Sequence, residues 1–142
     1  RGRSCVITRY LVDTNVLLRF LSGLPARQAE AAKRLFEAAA AGTISLDVSP
    51  VIVAEAMYTL VSFYNVDRIE AAVKVAALLR RRGVKVRDAD QVFGALERLQ
   101  KANVGFADAF LAAGGAEQGV PVATFDRDLD KFKDVTRFEP AW

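Results

Sequence analysis

The sequence predicts an α/β fold: a three-layer sandwich in which a short parallel β-sheet is covered by helices on both faces. Three observations lead there. Short apolar runs alternate along the chain with segments of helical period. Gly42, Gly83 and Gly119 fall where those helical segments stop. The chain has 142 residues, 52% hydrophobic and 26% charged, which fits one ordinary domain over residues 1–142 without repeats or linkers. Arg1 to Ser4, ahead of the first apolar run, are expected to be a remnant that takes no part in the fold.

The elements follow in order. Tyr10 to Val12 is an apolar run ending at Asp13 and reads as a strand, with Val16 to Leu21 as a short helix behind it. Ala29, Ala32, Leu35, Phe36 and Ala39 give Ala26 to Ala41 a helical period, stopped by Gly42. Thr43 to Val48 reads as the second strand. Ser49-Pro50 is a helix start, with serine as the N-cap and proline at the first helical position, and the helix runs to about Tyr64. Asp67 to Arg82 is a further helix and Val84 to Val86 a short strand. Val92, Phe93, Leu96 and Leu99 mark a helix over Ala89 to Ala102, and Phe106 to Gln118 is another. Val120 to Phe125 and Thr136 to Phe138 are the closing strands. Phe36, Phe93, Phe106 and Phe110 lie at core spacing.

Composition excludes several chemistries. With no histidine there is no Ser-His-Asp triad, no paired-histidine ribonuclease and no His-ligated zinc. Cys5 is the only cysteine, so neither an intramolecular disulfide nor a Cys-rich zinc site can form. The expected setting is cytoplasmic, with no membrane partner, because there is no signal-peptide pattern and no apolar run near the roughly 18 residues of a span. No glycine-rich phosphate loop appears. Chemistry must then come from carboxylates, and clustered carboxylates without soft ligands suit Mg²⁺ or Mn²⁺. Net charge is +3. With four carboxylates committed to metal, 13 of the 17 acids remain against 20 cations, a balance that favours a polyanion.

Four acids stand apart by their neighbours: Asp13 at the end of the first strand, Glu55 inside a helix, Asp108 in a helix first turn and Asp126 at the end of VATFD. Glu55 has Val51, Ile52, Tyr58 and Thr59 at helical spacing, and Asp108 has Val104, Gly105, Leu111 and Ala112; none is cationic. A carboxylate on an apolar face is costly unless an arginine or a metal from elsewhere compensates it. In an open parallel sheet, strand ends and the starts of the following helices share the carboxyl edge, so the four acids are expected on one rim. Capping by Asp13, a turn at Asp126 and a dipole-favoured acid at Asp108 are the structural alternatives.

YLVDTNVLLRFL, SPVIVAEAMYTL, VGFADAFLAA and VATFDRDL, in this order and spacing, resemble the PIN domain, most closely the VapC toxins of toxin–antitoxin pairs. The resemblance runs from about Arg9 to Phe138 and implies a similar fold. It implies that Asp13, Glu55, Asp108 and Asp126 are the catalytic, metal-holding quartet. Asn15, Ser49 and Thr124 match polar positions around it, and Asp128 and Asp130 offer further carboxylates. The implied activity is Mg²⁺- or Mn²⁺-dependent cleavage of RNA, the implied partner a VapB-type antitoxin that sends a basic side chain toward the quartet. A carboxylate-held divalent ion neutralises phosphodiester charge and makes water more acidic, which supplies a nucleophile without histidine.

Two other function classes share some of these residues. A haloacid-dehalogenase phosphatase would need a second acid where Asn15 stands, and leaves Glu55 unexplained. A PIN-like module that binds RNA or protein without turnover keeps the same residues and is separated only by assay. Arg80, Arg81 and Arg82 close a helix, either as solvated partners of its dipole or as contacts for RNA phosphates. Val51, Val53, Met57, Leu60, Val61, Phe63, Ile69, Val73, Val75, Leu78 and Leu79 exceed one buried stripe, which predicts a homodimer through the two central helices.

Overall fold

The computed structural model describes residues 7–141, so Cys5 and the Arg1–Ser4 stretch lie outside the described residues. The elements are β1 (Thr8–Leu11), α1 (Thr14–Ser22), α2 (Ala26–Ala40), β2 (Ile44–Val48), α3 (Pro50–Ser62), α4 (Arg68–Leu79), β3 (Val84–Val86), α5 (Ala89–Leu99), α6 (Phe106–Gln118), β4 (Val122–Ala123), a 3-10 turn Arg127–Lys131, and β5 (Arg137–Phe138). This is the α/β alternation expected, with every strand pairing parallel.

The strands divide into two sets. β1, β2 and β3 form one sheet in that order, with Leu11 beside Asp47 and Asp47 beside Lys85; β4 and β5 form a separate pair. The expected strand Val120 to Phe125 shrinks to Val122–Ala123: Thr124 N still donates to Phe138 O at 3.0 Å, and its Oγ1 then accepts from Asp126 N and turns the chain away. The period of two sorts the central strand: Ile44, Leu46 and Val48 turn inward, the last two fully buried, while Ser45 and Asp47 take the other face.

Helix ends are set by local chemistry. Asp13 accepts from Thr14 N at 2.8 Å, so α1 begins two residues before the expected start. Asp67 caps α4 through Ile69 N and Glu70 N. That helix ends at Leu79 rather than Arg82, and Arg80 to Arg82 form the turn into β3. Gly83 closes the turn at φ +84°, with Ala39 of α2 against it. Phe36, Leu46, Leu79, Leu96 and Leu129 anchor one continuous core. The expected core aromatics Phe36 and Phe106 are buried, and Phe93 and Phe110 are half-buried against it.

Candidate functional site

The acidic residues fall into two groups. Asp13 follows β1 and is spent first on its own helix, capping Thr14. Thr14 is buried, and its hydroxyl donates to Glu55 from the second turn of α3. One residue thus joins the first two acids, its amide held by Asp13 and its hydroxyl by Glu55.

The second group is tighter. Oxygens of Asp108, Asp126 and Asp128 all lie within 4.8 Å of one another. Asp108 comes from the first turn of α6, where helical geometry points it back toward the helix start. Thr124 Oγ1 accepts from Asp126 N at 3.0 Å, and Asp126 Oδ1 accepts from Asp128 N at 2.8 Å. These two short turns fold the segment after β4 so that Asp126 and Asp128 face Asp108. Asp126 therefore heads the 3-10 turn rather than ending a strand. Burial, then Asp126, then Asp128, push the Asp108 carboxyl above its ordinary value, and Lys131 opposes them. Lys131 lies 3.5 Å from Asp128 and also donates to the Asn103 carbonyl.

Three crowded oxygen donors with no soft ligand fit a hard divalent cation. Asp13 and Glu55 lie outside this cluster. The burial argument for Glu55 does not hold, because its side chain stands on an exposed stretch of α3 with Val51 and Tyr58 also exposed. Its charge needs no buried counter-ion there, and Thr14 meets it instead.

The supporting residues are placed as follows. Ser49 takes the N-cap position of α3 but makes no side-chain cap bond. Asn15 is exposed at the start of α1 and faces a groove shared with Arg19 and Gln28. Arg80 stacks over Phe93 at 4.6 Å and Arg81 over Phe20 at 5.3 Å. They precede β3, whereas Asp13 follows β1. In a parallel sheet those are opposite edges, so the arginine turn and Asp13 stand at opposite ends of the strands.

Sequence reasoning passed over Thr14 and Lys131. The signals were present: a hydroxyl directly after the capping acid, and a lysine three residues beyond Asp128. An apolar cavity of about 580 Å³ adjoins the cluster, between α3 and the head of α6, with Tyr58, Met57, Phe106 and Asp128 in its wall.

Comparison with known proteins adds the family. No curated protein matches the chain. Among solved structures, one from Rickettsia felis, described as VapBC2 bound to a DNA fragment from the promoter, covers 94% of this chain and 100% of its own, at 13% identity and a TM-score of 0.38. The sequence model described as the PIN domain matches residues 10–135, which takes in the second half of β1, every element from α1 to the 3-10 turn and all of the acids above. With nearly the whole chain matched, the protein belongs to the PIN domain family, whose members are generally nucleases.

Proposed function

We propose that the protein is a divalent-metal-dependent endoribonuclease, the toxin of a VapBC-type pair. The observation that carries this is the oxygen cluster of Asp108, Asp126 and Asp128 in a chain of this family. These three would hold Mg²⁺ or Mn²⁺, with Asp13 and Glu55, joined through Thr14, as the remaining catalytic carboxylates. When bound, the ion neutralises charge on the scissile phosphodiester and makes water more acidic. The protein's own residues do the rest: Thr124 and Asp126 fix the loop, Thr14 holds Glu55 in one orientation, and Lys131 moderates the repulsion among the acids.

The toxin reading and the VapB-type antitoxin rest on the four segments from YLVDTNVLLRFL to VATFDRDL. A basic side chain from such a partner would satisfy the carboxylates and compete with metal.

The competing reading is a binding module without turnover. It is favoured by Asp13 and Glu55 both engaging Thr14 and not joining the group of oxygens within 4.8 Å of one another. One assay decides between them. With Mg²⁺ or Mn²⁺ the protein should cut single-stranded RNA, chelator should stop it, and Asp13→Asn or Asp126→Asn should lower the rate by at least about a hundredfold while the fold persists. Binding without cleavage at any metal concentration selects the module.

A further inference from the structure

We infer that the polar face of the β1–β2–β3 sheet is a track for the phosphates of a single-stranded RNA, with Lys85 and Arg87 as its main cations. The inference deepens the nuclease reading and rests on it for the choice of RNA. Side chains alternate along a strand, so Arg9, Asp47, Lys85 and Arg87 all rise from one face, opposite the buried Leu46 and Val48. Between them lies a groove of about 290 Å³ that Ser49 also lines.

The charge on this face is unbalanced. Arg9 is tied to Asp47, the one acid in the groove. Lys85 and Arg87 are exposed and have no ion-pair partner among the described residues. Standing two residues apart on one face, they are separated by roughly 6.6 Å at ~3.3 Å per residue. That spacing suits neighbouring phosphates of an extended strand. Ser49 adds a hydroxyl without a capping bond, beside the positive end of the α3 dipole. Ser45 Oγ and Asp47 Oδ1, both from this face of β2, are buried without hydrogen-bond partners. Both atoms lie beneath the groove and Asp47 only accepts, so the grip on phosphate falls to Lys85, Arg87 and Ser49.

The groove also runs the right way. Leu11 and Ser49 line it at the carboxyl edge of the sheet, and Asp13 and α3 with Glu55 follow directly from them. A strand lying over Lys85 and Arg87 therefore leads to the edge that carries the first two acids. The arginine turn at Arg80 to Arg82 has no such continuity.

The test is the affinity of a short fluorescein-labelled oligouridylate, measured by anisotropy in chelator across a salt series. Lys85→Gln/Arg87→Gln should bind roughly tenfold more weakly, and its log–log salt slope should be smaller by about 1.4, at ~0.7 per phosphate contact on a single strand. Lys33→Gln/Arg34→Gln, on the exposed side of α2, should change affinity less than about twofold. Equal affinity and slope for wild type and the Lys85/Arg87 variant would overturn the track, as would an equal loss in the α2 variant. Binding that follows this pattern in a protein that never cuts RNA removes the nuclease reading alone. A wild type that does not bind the oligonucleotide overturns the track, and the nuclease reading is then decided separately by the cleavage assay with metal.

Discussion

At the scale of single residues, Asp108 is the most informative acid. Burial and then the Asp126 and Asp128 charges raise its carboxyl from its ordinary value, so its ionised form is disfavoured until a cation arrives. Divalent ions should therefore raise the melting temperature, by about 2.7 kcal/mol of added stability at a hundred times Kd. Asp108→Asn should melt higher than wild type without metal and lose most of that response; melts of both proteins across a Mn²⁺ titration check it. Asp134 behaves in the opposite sense. Arg98 grips both of its oxygens, at 2.9 and 2.6 Å, and holds its carboxyl below its ordinary value. A depressed folded value means that this stabilisation is present above the unfolded value and is lost as pH falls through the folded one. Asp134 is largely exposed, so the pair contributes under about 1 kcal/mol. Denaturant midpoints measured from pH 7 downward should show Asp134→Asn less stable than wild type at neutral pH, with the deficit shrinking as the pH falls.

At the scale of elements, the turn between α4 and β3 carries the tightest constraint. Gly83 stands at φ +84°, and a Cβ there would meet Ala39 O at 2.2 Å. Only glycine allows both the left-handed backbone and the contact between this turn and α2. Gly83→Ala should cost at least about 2 kcal/mol, since the backbone alone accounts for ~1–2 and the clash adds to it. Urea unfolding of the two proteins measures it. Because Leu46 N donates to Gly83 O at 2.9 Å, the same change should loosen the β2–β3 pairing.

At the scale of the whole molecule, the apolar excess on α3 and α4 divides in two. Val53, Met57, Leu60, Val75, Leu78 and Leu79 are taken up by the core, while Val51, Val61, Phe63, Ile69 and Val73 stay exposed, with Tyr58 beside them. The patch is thus smaller than the sequence predicts, and it remains the best candidate for pairing between two copies. Light scattering at micromolar concentration should give twice the 15.5 kDa chain mass, and Phe63→Asp/Ile69→Asp should return it to 15.5 kDa. A single-chain mass in wild type at every concentration defeats the dimer. Among the described residues no helix is long and apolar enough to cross a membrane.

The sequence by itself determined the order and kind of the elements, because hydrophobic period, capping residues and stop glycines are local signals; α6 is found at its expected bounds, Phe106–Gln118, and Asp13 and Asp67 cap as short polar residues do. It also marked the acids and the family, since those are strings of residues in order. Which acids meet was decided only by tertiary structure. Asp128 joins Asp108 and Asp126 through two turns whose geometry depends on where β4 stops, and Thr14 reaches Glu55 across 41 positions of chain. Glu55 looked buried because a helical period shows which side chains share a face, and not what that face packs against. The cationic face of the sheet was hidden for the same reason: Arg9, Lys85 and Arg87 become neighbours only when register brings three strands side by side.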